Sequence, residues 1–248
     1  MQYRAAFLFQ SLGHFLITGL EFVGLAAVFQ RFDRVGDWTL PEMSLFYGII
    51  SVAFALAEAI PRGFDVFHRL VRTGDFDRML LRPRSPALQV LGHEFQLMRI
   101  GRLVQAVVVL ILATLWLDLS WTPARLAMLV FAIAGGVCLF SGLFILQATV
   151  CFWTIESIEL VNCTTYGGVE AAQFPVTIYR PWFRKLFTFV IPLATVNYFP
   201  TLAILGRDDP LGTSRLFQCL SPLLGVVFLG VCLALWRIGV RRYASTGS

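Results

Sequence analysis

The sequence predicts an all-α integral membrane protein with six transmembrane helices. The chain is 57% hydrophobic and only 14% charged, whereas a soluble domain carries about 25% charged residues. Long apolar segments recur along it, and one helical crossing needs roughly 20 such residues. The predicted crossings occupy residues 12–30, 43–60, 100–117, 126–153, 155–174 and 217–236. They form a single transmembrane domain over residues 1–248.

Acidic residues lie in three of the predicted crossings. Glu21 lies deepest in the first, and charge in hydrocarbon is costly enough to mark a function or an ion pair. Both roles stay open: Glu21 lines a pathway, or it pairs with a residue of another helix. Glu58 ends the second crossing one turn before Arg62, which predicts a local ion pair between them. Three further acids lie in the fifth crossing: Glu156, Glu159 and Glu170.

Residues 61–99 form the one long polar loop, and it is rich in arginine. Its seven arginines are Arg62, Arg69, Arg72, Arg78, Arg82, Arg84 and Arg99. Translocated loops are depleted in Lys and Arg, so this loop is predicted to be cytoplasmic. With six crossings, the 20 basic residues divide into twelve on the side of this loop and eight on the other. Both termini are therefore predicted to be cytoplasmic.

The centre of this loop, residues 74–83, is predicted to fold into a short amphipathic helix. Asp75 is placed to cap its first turn, and Pro83 ends it because proline lacks a backbone donor. Helical periodicity separates an apolar face from a polar face. The apolar face carries Phe76, Met79 and Leu80, and the polar face carries Asp77, Arg78 and Arg82. Such a helix either contacts a partner or rests on lipid headgroups.

Small residues recur at four-residue spacing in the fourth crossing. One stripe contains Ala134, Cys138 and Gly142, and another contains Ala132 and Gly136. Small residues let the backbones of membrane helices approach closely. The stripes therefore predict helix contacts along this crossing.

A proline-rich stretch, residues 175–205, precedes the last crossing. Its prolines are Pro175, Pro181, Pro192 and Pro200. Proline removes a backbone donor and blocks the preceding turn, so a straight spanning helix is implausible. We expect short re-entrant helices, about residues 182–190 and 193–198, that enter the outer leaflet and return. The alternative is one kinked helix.

Three basic residues in this stretch are predicted to lie at the outer boundary of the membrane: Arg180, Arg184 and Lys185. There they either attract anionic headgroups or cargo, or only anchor the helix. The net charge of +5 arises mostly from arginines at the ends of apolar segments. It is therefore a membrane feature and not a sign of nucleic-acid binding.

The sequence lacks motifs for catalysis and for cofactor binding. It has no GxxxxGK[ST] phosphate-binding loop, and its only lysine is Lys185. It has no zinc motif, no GxSxG elbow and no paired-carboxylate signature. The five cysteines form no CxxC pair, so buried free thiols are expected. We therefore expect no catalytic residue, metal site or cofactor on this chain, and an enzyme is a poor interpretation.

Residues 74–83, followed by Ser85 and Pro86, resemble the permease subunits of type-two ABC exporters. The shared pattern is a Gly-acidic-Phe-Asp stretch, then Leu-Leu-Arg-Pro, then a second proline. More narrowly, the chain resembles the uncharacterised branch that is paired with daunorubicin-resistance-like ATPases. A second match covers three segments before the last crossing, residues 174–179, 189–192 and 197–200. The resemblance extends over essentially the whole chain.

The resemblance implies a permease subunit of an ATP-driven exporter, which forms half of a translocation pathway in the bacterial inner membrane. It also implies that the short helix is a coupling helix seated in a groove of a separate ABC ATPase dimer, which binds ATP and Mg²⁺. The implied coupling residues are Asp75, Phe76, Asp77, Arg78, Met79, Leu80, Leu81, Arg82 and Pro83. A second permease half, identical or related, and membrane lipids are the other implied partners.

Two other functions fit a membrane protein with one prominent cytoplasmic loop. The first is a structural or regulatory protein that binds a partner but transports nothing. The second is a secondary transporter, which normally contains more helices or internal repeats, and no convincing repeat is visible. An ATPase gene beside this one would favour the exporter over both.

Overall fold

The computed structural model describes residues 4–94, 99–154 and 158–243, with the backbone alone for residues 4–6 and 158–163. These residues are mostly helical, and their only β pairing is an isolated bridge between Val35 and Trp38. In chain order the helices are α1 (Arg4–Arg31), α2 (Leu40–Ala59), α3 (Arg62–Asp65), α4 (Phe67–Arg72), α5 (Asp75–Leu80), α6 (Pro86–Leu91), α7 (Ile100–Trp116), α8 (Pro123–Val150), α9 (Ile158–Ala172), α10 (Pro181–Lys185), α11 (Leu193–Val196), α12 (Tyr198–Leu205), α13 (Arg215–Leu220) and α14 (Leu223–Arg242). The all-α prediction is confirmed.

Four of the described helices are long and apolar enough to cross a membrane: α1 from Phe7, α2, α8 and α14. Helix α7 is apolar but has only 17 residues, which is shorter than the roughly 20 that a crossing needs. The fifth crossing was predicted to begin at residue 155, which lies outside the described residues. Helix α9 begins shortly after it, at Ile158. A bent pair of helices within the proline-rich stretch raises the number of candidate spans to five. Six crossings therefore stay a prediction.

Local chemistry at the ends of α2 and α14 shifts both helices from their predicted bounds. Helix α2 begins before the predicted residue 43 because the backbone N–H of Thr39 donates to the Glu42 carboxylate at 2.9 Å, as in a capping box. The last crossing was predicted at 217–236, but its helix runs from Leu223 to Arg242. The preceding residues form the separate helix α13, and Pro222 breaks the chain between the two because it lacks a backbone donor.

Helix α2 lies at the centre of the fold, packed against α7, α8 and α9, while α8 also packs along α14. Glycines permit close approaches between these helices. A Cβ added at Gly136 would lie 2.7 Å from the Cβ of Ala53 on α2. A Cβ added at Gly142 would lie 2.8 Å from the Phe228 ring on α14. The predicted helix contacts are thus confirmed for Gly136 and Gly142, which allow dense packing without a strong hydrophobic driving force.

The proline-rich stretch is broken, as predicted. Helix α10 continues into a turn of π-helix over Leu186–Val190, and this pair meets the α11–α12 pair at 71°. The second half runs to Leu205, beyond the predicted residue 198. The side-chain amide of Asn197 donates to the backbone carbonyls of Phe46 and Ala172. These bonds hold the stretch against α2 and α9 and satisfy two of their backbone carbonyls within the protein.

Candidate functional site

Helices α3 to α6 form a compact unit over residues 61–93, which we call the short-helix unit. A Cβ at Gly63 would lie 1.7 Å from the carbonyl oxygen of Val90, so only glycine lets α3 and α6 meet this closely. The amide of Gln89 donates to the carbonyl of Met79 at 2.9 Å, which ties α6 to the end of α5. The amide of Gln147 donates to the Asp65 carboxylate at 3.2 Å, which ties α3 to α8. The unit is therefore held to the membrane helices by specific contacts.

The predicted amphipathic helix exists as α5, but its first turn differs from the prediction. Gly74 is the N-cap, with a left-handed φ of 71° that glycine adopts without strain. Asp75 is the first helical residue and does not cap the helix. Its carboxylate accepts a hydrogen bond from the Thr73 hydroxyl at 2.7 Å. The capping prediction is wrong because glycine supplies the turn that Asp75 was expected to make.

Two of the three residues on the predicted apolar face of α5 turn inward, towards the chain itself, and the third, Leu80, is exposed. Phe76 is fully buried and Met79 is nearly so. The Phe76 ring lies 4.8 Å from that of Phe67 and 5.2 Å from that of Tyr243. Burial and the neighbouring Asp77 raise the pKa of the Tyr243 phenol. Phe76 and Met79 are thus not free to enter the groove of another protein, which corrects their predicted orientation. The physical reason is that an amphipathic helix buries its apolar face against the nearest apolar surface, here supplied by α4 and by the end of α14.

The exposed side of the short-helix unit combines leucines with arginines. Leu81 is 86% exposed and Leu88 is 67% exposed. We call the following exposed residues the Leu/Arg surface: Arg78, Leu80, Leu81, Arg82, Arg84 and Leu88. Pro83 is exposed beside them, and a cleft of about 540 Å³ runs between Arg82, Arg84 and Leu88. Leu88 was not singled out from the sequence, although Pro86 at the first helical position marked the start of α6.

Beside this unit, a buried ion cluster joins helices α2, α7 and α9. Glu58 is fully buried at the end of α2 and forms an ion pair with Arg99. The Tyr166 hydroxyl of α9 donates to Oε1 of Glu58, the oxygen that pairs with Arg99, at 3.4 Å. The other carboxylate oxygen, Oε2, lies 3.6 Å from a guanidinium nitrogen of Arg102 on α7. The predicted pairing of Glu58 with Arg62 is wrong. Helix α2 ends before Pro61, so Arg62 is not one helical turn away, and it pairs with Asp65 instead.

A family model of the ABC-2 family transporter proteins matches residues 15–247. The chain belongs to the ABC-2 transporter family. It is therefore the membrane component of a transporter, a type-two ABC permease with several membrane-crossing helices, as the sequence predicted. Such permeases typically work with an ABC ATPase. No curated protein and no solved structure shows a significant match to the chain.

The remaining predicted site residues of the permease lie apart from the short-helix unit. Glu21 is exposed on α1, and Glu170 on α9 is exposed within electrostatic range of it. Arg180 and Lys185 are exposed. Arg184 is half-buried and lines a cleft of about 360 Å³. Glu156 and the side chain of Glu159 lie outside the described residues. Within the described part of the permease, no group of three or more acidic, histidine or cysteine side chains is arranged to hold a metal ion.

Proposed function

We propose that the permease is the membrane subunit of an ATP-driven exporter and that a separate ABC ATPase docks on the Leu/Arg surface. One observation carries this proposal: the short-helix unit is fixed to the membrane helices by its buried side and presents leucines and arginines on its other side. The ATPase binds the ATP and Mg²⁺, and this chain supplies the membrane pathway. The resemblance supports pairing with a daunorubicin-resistance-like ATPase.

Exposed apolar area on the Leu/Arg surface favours the docking of a partner. Burying a leucine side chain contributes about 1.5–3 kcal/mol relative to leaving it in water. Leu81 and Leu88 leave this gain unused in the single chain, because both are mostly exposed. The neighbouring arginines add long-range attraction to an acidic partner surface. Phe76 and Met79 support this surface from behind and do not touch the ATPase.

The membrane arrangement completes the proposal. Six crossings place both termini in the cytoplasm of a bacterial cell, in the inner membrane, with the short-helix unit on the same side. A second permease half, identical or related, closes the pathway. An exposed acid on a membrane helix needs water or protein around it, so Glu21 lies on that pathway. Arg180, Arg184 and Lys185 lie at the outer boundary, among the lipid headgroups.

The docking proposal is tested by replacing Leu81 with aspartate. The tagged wild-type permease is purified with the ATPase that it retains, which is identified by mass spectrometry and by ATP turnover. Leu81→Asp should lower the retained ATPase at least tenfold, because desolvating a charge in the interface costs a few kcal/mol. Leu211→Asp is the matched control, since Leu211 is also exposed but lies in the loop between α12 and α13.

Leu211→Asp should retain the ATPase, and both variants should insert normally into the membrane. Undiminished retention by Leu81→Asp would refute docking at this surface. If Leu81→Asp instead weakens only the binding of the purified chain to anionic vesicles, the surface rests on lipid headgroups.

A further inference from the structure

The last membrane helix, α14, is joined to the short-helix unit by aromatic side chains. We propose that α14 moves with the short-helix unit when the ATPase closes on ATP, and that this packing carries the motion. The inference rests on the docking function proposed above. Six residues form the contact, which we call the aromatic cluster: Phe64, Phe67, Phe76, Phe152, Trp236 and Tyr243.

Trp236 of α14 lies at the centre of the aromatic cluster. Its ring centroid is 5.1 Å from that of Phe64, 4.9 Å from that of Phe67 and 5.0 Å from that of Phe152. The side chain is almost fully buried. Trp236 is therefore enclosed between α3 and α4 of the short-helix unit and the segment that follows α8. A displacement of α3 or α4 cannot leave Trp236 in place without opening a void, and packed interiors resist voids.

A glycine makes this enclosure possible. A Cβ added at Gly239 would lie 2.5 Å from a ring carbon of Phe152. Because Gly239 has no side chain, the Phe152 ring lies against the α14 backbone and holds Trp236 from the other side. One turn later, the Tyr243 ring packs edge-on against that of Phe76, a buried residue of α5. The whole cytoplasmic end of α14 thus follows the short-helix unit.

The covalent chain alone would not make α14 move with the short-helix unit. The short-helix unit is continuous with α2 through Ile60 and Pro61, so a push on it reaches α2 directly. Helix α14 is remote in the sequence and receives motion only through side-chain packing. Packed contacts tend to hold one arrangement or switch to another, and they do not deform gradually. The aromatic cluster therefore makes α14 a second moving helix of the permease, alongside α2.

The test uses spin labels on the permease–ATPase complex, with the labelled permease diluted in unlabelled permease and the native cysteines replaced. One label at Leu8 on α1 is the reference, because α1 packs mainly on α7. The second label is placed at Arg72 on α4 or at Arg241 on α14, both of which are exposed. Pulsed electron resonance then measures each distance with and without a non-hydrolysable ATP analogue. Both distances should shift by about 2 Å or more, the scale of helix shifts in switching proteins.

Trp236→Ala should keep the shift at Arg72 and lose at least half of the shift at Arg241. The control Leu235→Ala removes a half-exposed neighbour on the same helix and should keep both shifts. Retention of the ATPase by Trp236→Ala separates lost transmission from lost folding. If that variant does not assemble, Gly239→Ala takes its place, because its Cβ displaces the Phe152 ring.

The wild-type distances are decisive even without a variant. A shift at Arg72 with no shift at Arg241 would overturn the inference while leaving the docking proposal intact. If Arg72 also fails to shift while the ATPase binds its nucleotide, the proposed coupling fails and the inference fails with it. A full shift at Arg241 in an assembled Trp236→Ala complex would show that another contact moves α14, and it would overturn the role of the aromatic cluster.

Discussion

Replacing Glu58 with glutamine should destabilise the permease strongly, although the two side chains have nearly the same volume. The carboxylate is fully buried and compensates two guanidinium groups, those of Arg99 and Arg102. Glutamine removes the negative charge and leaves both arginines facing an uncharged amide. The arginine side chains are only 17% and 16% exposed, so water can solvate them only in part.

The magnitude follows from the cost of an uncompensated buried charge. Removing one partner of a buried ion pair costs about 3–5 kcal/mol. The residual exposure of the two arginines lets water reduce this penalty, so we expect a loss near the lower end, about 3 kcal/mol. The loss should change little with ionic strength, because salt screens buried pairs much less than exposed pairs.

The assay is reversible unfolding of the isolated permease in mixed micelles by increasing fractions of SDS, followed by circular dichroism. The control is Arg78→Gln, which breaks the exposed pair of Arg78 with Asp75, whose side chains are 82% and 43% exposed. Exposed pairs contribute about 0–1 kcal/mol, so this variant should unfold close to the wild type.

A second variant separates charge from packing. In the background of Glu58→Gln, the change Arg102→Gln removes a positive charge that has lost the Glu58 carboxylate and should recover part of the lost free energy. If Glu58→Gln unfolds within about 1 kcal/mol of the wild type, the range of exposed pairs, the cluster is solvated and the reasoning is refuted.

Two further predictions concern the broken stretch and the topology. Asn197→Leu removes the donors to the carbonyls of Phe46 and Ala172 and should lower the free energy of unfolding by about 1–3 kcal/mol; an unchanged midpoint in the same SDS titration would show that water or other donors replace the amide. Cysteines introduced at Asp208 and at Arg242 should be labelled from opposite sides of the membrane by an impermeant reagent; labelling from one side would contradict six crossings.

Local sequence patterns predicted the parts of the fold that depend on local chemistry. The prolines of the stretch before the last helix predicted a break, because a proline interrupts backbone hydrogen bonding wherever the chain goes. Gly136 and Gly142 were recognised as helix contacts from their spacing alone. Phe76 and Met79 were also assigned correctly to one face of α5, since helical periodicity is 3.6 residues, whereas Leu80 of the predicted apolar face is exposed.

The same patterns could not predict which partner each face would meet. The spacing of Glu58 and Arg62 indicated an ion pair, but Glu58 pairs with Arg99 and Arg102 because α2 ends between the two residues and packs against α7. Phe76 and Met79 on the apolar face of α5 were expected in a groove of another protein, and they are buried against the chain itself instead. Trp236 and Tyr243 carried no signal beyond that of the end of a membrane helix.

The difference between these outcomes has one physical origin. Composition, helical periodicity and proline positions act within one or two helical turns, so the sequence alone establishes an all-α membrane chain with an arginine-rich helical loop. The burial of Phe76, the partners of Glu58 and the exposure of Leu81 and Leu88 depend on contacts between segments that are remote in the chain. Those contacts exist only after the helices have packed, and they leave the Leu/Arg surface as the exposed side of the short-helix unit.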